Sequence, residues 1–457
     1  MSGAAHSPVD HDSAVAALRA SYVAVPADSP VRLAKRTSNL FRPRQRTGAP
    51  GLDVGGLTGV VSVDPAARTA DVQGMCTYET LVDTTLPHGL MPLVVPQLRT
   101  ITLGGAVTGL GIESTSFRHG MPHESVRELD VFTGAGELVT ARPDGEHADL
   151  FAAFPNSQGS LGYATRLRID LQPVASRVAL RNLRFDDLDA LMAAIDEVIA
   201  TGERAGRRVD AMDAVMFAAD ESYLVLAQFT DEPGATSDYT GQRIYYRSLR
   251  SRETDLLSAY DYLWRWDTDW FWCSRPFGVQ NPAVRRLWPA RYRRSDVYHR
   301  IYMLEQRYRI AGRLDRRRGR PPSERVVQDV ELPTARTAEF LRWFAGHVRM
   351  SPVWLCPLRA GTRTWPLYPL TPGASYVNAG FWGAVDIAPG ARDGDVNRAI
   401  EAKVTELTGH KTLYSDAYYD RETFDRLYGG ESYRVVKKRY DPDHRLTGLY
   451  EKVVQRR

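Results

Sequence analysis

The sequence predicts a two-domain α+β protein. Short β-branched runs in the first third are separated by turn residues such as Asp64-Pro65 and Thr133-Gly134-Ala135-Gly136. Helix-patterned stretches lie between those runs, which argues mixed layers of strand and helix. A second set of strands and helices opens after Pro173, where an alternating run ends. The 457 residues amount to about three domain-equivalents. That length buries a core without disulfide or metal staples.

Thr58 to Val63, Thr69 to Gln73 and Glu128 to Phe132 have strand patterning. Thr77 to Leu86 reads as a helix that Pro87 and Gly89 end. Arg166 to Leu171 alternates like a strand and closes the first domain, residues 1–173. A second domain, residues 174–407, opens with Leu180 to Phe185 as a strand and Asp187 to Thr201 as an amphipathic helix. Strand-like pieces return at Val326 to Leu332, Pro352 to Leu355 and Tyr376 to Ala379. A polar, aromatic C-terminal segment occupies residues 408–457.

Composition excludes several classes. Hydrophobic residues are 43% and charged residues 25%, with no apolar run long enough to span a bilayer and no signal-peptide pattern at the N-terminus. Cys76, Cys273 and Cys356 are isolated, so neither a disulfide framework nor a zinc spacing is readable, which fits a reducing cytosol. Lysines number six, five of them after residue 400, and arginine supplies the other cations. This bias resembles that of a GC-rich bacterium.

The sharpest local signal is Thr102-Leu103-Gly104-Gly105-Ala106-Val107-Thr108-Gly109-Leu110-Gly111-Ile112-Glu113-Ser114. Glycines flanked by hydroxyls suit a backbone that approaches a phosphate or a flat ring. Neither the Rossmann fingerprint nor a P-loop fits, and a tight structural turn is the competing reading. Other ordered motifs accompany the loop: Asp130 to Gly136, Gly159 to Thr165, Pro276-Phe277-Gly278, Val326-Val327-Gln328-Asp329, Trp354-Leu355-Cys356-Pro357 and Tyr414-Ser415-Asp416-Ala417-Tyr418.

This series resembles the vanillyl-alcohol-oxidase (PCMH-type) flavoproteins and, within them, the Diminuto-like delta-24-sterol reductases. The resemblance runs from about Val31 to Val454. It implies a PCMH-type FAD domain of two α/β subdomains, a discontinuous α+β substrate cap, and a C-terminal segment returning to the flavin. Arg36, Thr37, Ser38 and Asn39 occupy the family's first pyrophosphate loop, without its usual glycines. Thr102, Gly104, Gly105, Gly109, Gly111 and Ser114 would form the second, and Gly162 and Thr165 would touch the adenosine end. The first loop holds neither His nor Cys, which implies a non-covalent flavin.

The resemblance also implies NADPH as donor and reduction of an isolated C=C bond in a lipid. A 10-methylene acyl chain, carried on a phospholipid and reduced to the methyl-branched product, is the first substrate expectation. Delta-24-sterol reduction is the near alternative, and a flavin oxidase acting on a sugar or alcohol the runner-up. Related flavoenzymes place a Tyr and a Lys over the flavin ring, which makes Tyr433 and Lys437 candidates against the reading of a solvated surface. Glu113, in the loop expected beside the ring, is the candidate proton donor, against a reading in which it only binds loop amides. Asn378, Asp416 and Tyr418 are candidate substrate contacts, with a solvated surface as the alternative for the last two.

Single histidines such as His119 and His410 read more simply as structural. Trp264, Trp266, Trp270 and Trp272 suit core packing or an apolar substrate mouth. Arg285 to Arg325 holds fourteen arginines among interleaved aromatics. A solvated face competes there with attachment to an anionic membrane, and no nucleic-acid recognition motif accompanies it. The expected location is cytoplasmic, peripheral on the inner face of the membrane.

Overall fold

A computed structural model describes residues 10–35, 41, 50–241, 243–308, 321–388 and 390–456. Two sheets organise the chain. The smaller has the order β1-β2-β6-β4-β5, formed by β1 (Val60–Asp64), β2 (Thr69–Gln73), β4 (Val126–Phe132), β5 (Leu138–Ala141) and β6 (Tyr163–Pro173); β3 (Leu90–Pro92) pairs with the far end of β6. The predicted helix after β2 spans Tyr78–Thr85, with Thr77 as N-cap, and a 3-10 turn at Leu86–His88 ends on left-handed Gly89.

The larger sheet is antiparallel throughout. It runs β12-β7-β11-β10-β14-β15-β13-β16, from β7 (Arg177–Phe185), β10 (Ala211–Ala218), β11 (Glu221–Thr230), β12 (Thr254–Ser258), β13 (Ser323–Pro333), β14 (Val353–Arg359), β15 (Ser375–Asp386) and β16 (His410–Lys411). A two-residue hairpin, β8 (Glu203–Arg204) and β9 (Arg207–Arg208), lies apart. The side-chain period of two divides the sheet's residues between two cores. Val326, Val330, Leu332, Val353, Leu355, Val377, Ala379 and Phe381 pack against the helices Leu188–Thr201, Thr334–His347 and Asp395–Glu406. Val327, Trp354, Cys356 and Trp382 face the opposite way, into a core shared with the smaller sheet.

The predicted helix begins at Leu188, with Asp187 as its N-cap accepting from Ala190 N. The C-terminal helix Gly430–Tyr440 returns to the smaller sheet's side, where Tyr440 Oη donates to Asp149 Oδ1 at 2.8 Å. The helix His11–Val23 packs near the same place, with Tyr22 against Phe132 and Arg445 over the Tyr22 ring.

The arginine-rich stretch divides. Arg285 is buried on Asp269 at 2.7 Å, buried Arg293 donates to the carbonyls of Gly241, Arg285 and Trp288, and Arg294 pairs with Glu79 at 2.7 Å. Arg286, Arg291 and Arg300 are exposed. Arg316, Arg317, Arg318 and Arg320 lie outside the described residues.

Candidate active site

A cavity of about 280 Å³ opens between the two sheets. Its first wall is the glycine-rich loop. Thr102 caps the helix Leu103–Gly109 by accepting from Gly105 N at 3.3 Å, and Lys35 Nζ donates to the same hydroxyl at 3.2 Å. Leu103 N and Gly104 N donate to Cys76 O and Gly74 O, which ties the loop to the end of β2. Thr102, Gly104, Gly105, Gly109, Gly111 and Gly162 all line the cavity, beside Lys35, Gln158 and Tyr163. Gly162 has φ +143, and a Cβ there would stand 2.5 Å from Val131 Cγ1.

The second wall is aromatic. Phe41, Trp270, Phe271, Trp354, Trp382 and Tyr414 line it, with Trp382 stacked on Phe271 at 4.3 Å and Phe41 on Trp270 at 5.4 Å. One carboxyl stands in this wall. Asp329 lies opposite Gly380 in the β13–β15 register, and Gly380 lies opposite Trp354 across β14. A Cβ on Gly380 would come within 2.4 Å of both Asp329 Oδ1 and Trp382, so glycine there lets carboxyl and indole share one face. Tyr414 Oη donates to Asp329 Oδ2 at 2.6 Å and accepts from Trp382 Nε1 at 2.8 Å; Asn378 Nδ2 donates to Asp329 Oδ1 at 3.0 Å. Burial pushes the Asp329 carboxyl up to about 6, against the pull of Tyr414 and Asn378.

The remaining expected residues among those described sit elsewhere. Glu113 is not in the cavity lining, which Ile112 supplies at that point. Its carboxylate turns away to Arg265 Nη2 at 3.0 Å and to the Ser114 amide and hydroxyl. Arg265 reaches Asp213 at 3.0 Å, and Asp213 also accepts from Trp266 and Trp354 indoles. Glu113 thus joins the loop to the larger sheet through a buried ionic cluster. Ser114 Oγ meets Tyr262 Oη at 2.9 Å within that cluster, and Thr165 Oγ1 donates to Asp130 O.

Lys437 is likewise engaged outside the lining. Its ammonium donates to Ser160 O and Leu446 O, both at 2.7 Å, and pairs with Asp441. Tyr433 Oη accepts from Leu449 N. Both residues therefore pin the C-terminal helix to the Ser160 loop. Asp416 pairs with Arg325 and Arg456, and Tyr418 lies under Arg398 and Arg456. Asn378 reaches the site through Asp329. Arg36, Thr37, Ser38 and Asn39 lie outside the described residues. His119 is hydrogen-bonded to Gln172, and burial lowers His410 to about 4, as structural histidines behave.

Trp270 is the tryptophan of its group that lines the cavity; Trp264 and Trp266 are fully buried in the core. Lys35, Asp329, Tyr414, Trp354 and Trp382 are the additions that the structure makes. Three of them stand in quoted motifs, but a motif does not say which of its side chains faces a cavity.

A glycine-lined wall bearing a cation, facing an aromatic wall, fits a flavin dinucleotide. Lys35, Thr102 and the loop glycines would hold its phosphate portion, and the ring would extend along the same wall toward Gly111 and Ile112, facing the aromatic wall. Comparison with known proteins agrees. A family model described as the FAD binding domain matches residues 7–142. The chain is an FAD-dependent oxidoreductase. The flavoprotein is similar to Delta(24)-sterol reductase of Homo sapiens, at 24% identity over 86% of this chain and 74% of that protein. It is similar at 24% to Delta(24)-sterol reductase of Arabidopsis thaliana, over 88% and 76% of the two chains. Cytokinin dehydrogenase 6 of Oryza sativa is 39% identical over 27% of this chain and 23% of its own length.

Proposed function

We propose that the flavoprotein reduces an isolated C=C bond in a lipid, with NADPH as donor, and that its substrate is a 10-methylene acyl chain yielding the 10-methyl product. The supporting observation is the cavity, where a wall suited to the flavin faces an aromatic wall suited to a hydrocarbon, with one carboxyl set in it. FAD, when bound and reduced, supplies the hydride. The chain's own part is to exclude water, hold the alkene against the aromatic wall and provide a proton, because an unactivated alkene has no carbonyl to polarise. None of the described lining residues is His or Cys, in keeping with a flavin held without a covalent tether.

The substrate reaches this wall from a bilayer. Val284, Leu287, Tyr292, Met303, Leu304 and Tyr308 are exposed apolar side chains within one stretch, Leu287 at 84% and Leu304 at 54%. Exposed Arg286, Arg291 and Arg300 accompany them, a mixture suited to an anionic lipid surface. Tyr302, on the helix Ser295–Tyr308, touches both Phe41 and Trp270 of the cavity wall, which links this surface to the site.

Anaerobic bleaching by NADPH, followed by mixing with alkene, tests the reading. Reoxidation by a phospholipid bearing a 10-methylene chain supports it in full. Reoxidation by a delta-24 sterol alone moves the substrate to the sterol named for its relatives. Fast reoxidation by oxygen with neither alkene active would make it an oxidase.

A further inference from the structure

We propose that Asp329, seated by Tyr414 and Asn378 in the aromatic wall, is the acid that protonates the alkene; this rests on the reading of the chain as an alkene reductase. Three observations meet on this residue. Among the described lining residues, Lys35 and Asp329 are the charged types, and Lys35 belongs to the phosphate-side wall with Thr102. Asp329 instead shares its face with Trp354 and Trp382, where a hydrocarbon would lie.

Its hydrogen bonds also have the direction that an acid needs. Trp382 donates to Tyr414, Tyr414 donates to Oδ2, and Asn378 donates to Oδ1. Each donor favours the carboxylate that remains after the proton has left. Burial opposes them and raises the carboxyl to about 6, so that the protonated form persists into the weakly acid range. Glu113 lacks that balance, because Arg265 and Ser114 occupy its oxygens and turn it out of the cavity.

The step balances as follows. The alkene π pair forms a new C–H bond at the less substituted carbon while the Asp329 O–H bond breaks, and the O–H pair stays on the carboxylate. The tertiary carbon left short of two electrons would be completed by the hydride that a reduced flavin, held by Lys35, Thr102 and the loop glycines, would supply. Solvent returns a proton to Asp329 before the next turnover. Overall, alkene, nicotinamide hydride and one proton give the saturated chain and the oxidised nicotinamide.

Among the described residues, the titratable groups around Asp329 are few. Tyr414 lies beyond β16, Cys356 is on β14, Glu331 is two residues along β13, and Lys35 lies in the other wall. Burial raises the Cys356 thiol and the Tyr414 phenol, and pushes Glu331 up to about 8 with Tyr368 donating to it. Of these two carboxyls, Asp329 therefore changes charge at lower pH than Glu331.

The experiment uses full-length FAD-loaded protein, wild type, Asp329→Asn and Tyr414→Phe, with a 10-methylene phospholipid and a delta-24 sterol as probes. Asp329→Asn should keep its flavin absorbance and bleach with NADPH at near the wild-type rate, while alkene-dependent reoxidation falls about 100-fold or more. Wild-type reoxidation should decline as pH rises through the Asp329 titration. Tyr414→Phe removes a donor to the carboxylate, so its profile should move to higher pH. Infrared difference spectra supply a readout independent of turnover: a protonated-carboxyl band near pH 6 in wild type, absent in Asp329→Asn and persisting to higher pH in Tyr414→Phe. If Asp329→Asn does not retain flavin, the Tyr414→Phe profile and band decide instead. Wild-type reoxidation by Asp329→Asn, or an unmoved Tyr414→Phe profile, overturns the assignment and leaves the reductase reading standing. A wild-type flavin that neither alkene reoxidises overturns the reductase reading itself.

Discussion

Replacing Arg265 by Met removes the cation from between two buried carboxylates. Its Nη2 lies 3.0 Å from both Glu113 Oε1 and Asp213 Oδ2, and its guanidinium sits 4.0 Å over the Tyr262 ring. Breaking a buried pair by removing one partner costs about 3–5 kcal/mol, because the anion left behind remains desolvated. The variant can escape part of that cost by protonating Glu113. Burial already pushes this carboxyl above its ordinary 4.5, against the pull of Arg265. Protonating a carboxyl of ordinary value 4.5 at pH 7 takes about 3.4 kcal/mol, at about 1.36 kcal/mol per pH unit. The expected loss at neutral pH is therefore about 3 kcal/mol. A folded value raised above the unfolded one gives stability that is whole below the unfolded value and lost as pH rises through the folded one. Arg265→Met raises the folded value further, so the variant should approach wild type on acidification and fall behind it toward about pH 8. Urea unfolding by tryptophan fluorescence, with saturating FAD on both proteins, measures this. Trp266 and Trp354 donate to Asp213 and report the cluster directly. An equal midpoint difference at about pH 5.5 and about pH 8, or a loss under about 1 kcal/mol, would refute the reasoning.

Gly105→Val should abolish flavin retention on gel filtration, since a Cβ there stands 2.8 Å from Thr102 Oγ1, the hydroxyl that also receives Lys35; a folded, fully yellow variant would contradict it. Acid denaturation of wild type should release all of the FAD to the supernatant, and a yellow pellet would mean a covalent bond. Gly380→Ala should retain FAD but lose alkene-dependent reoxidation, because its Cβ displaces Asp329 Oδ1 and Trp382 from 2.4 Å; unchanged kinetics would separate this face from the chemistry. Co-sedimentation with vesicles should require anionic lipid, weaken with salt and drop for Leu287→Glu, each exposed arginine contributing about 1 kcal/mol; equal binding to neutral vesicles would remove the electrostatic part.

The fold was legible where one period held over a whole element. Thr69 to Gln73 matches β2 end for end, and the helix after Asp187 starts at its cap. β10 and β11 escaped because they are buried on both faces: Ala211 to Phe217 and Ser222 to Ala227 are interior at every position, so no polar alternation marks them. The same limit governed the site. The glycine-rich loop could be placed because its chemistry is in its backbone, and backbone demands show as glycines. A carboxyl's role depends on what faces it, which is set by strands distant in sequence. Glu113 and Asp329 are both buried acids in motif-bearing segments, and burial is the largest influence raising each. What separates them is 152 residues away for Glu113, in Arg265, and 85 residues away for Asp329, in Tyr414. A cation at 3.0 Å makes the first a clip between the glycine-rich loop and the larger sheet; a phenol at 2.6 Å and a glycine across the strand leave the second facing the cavity. The glycine at 380 is the sequence trace of that difference. Between Asn378 and Trp382 the missing side chain costs packing of its own, and Asp329 Oδ1 and the Trp382 ring stand in its place.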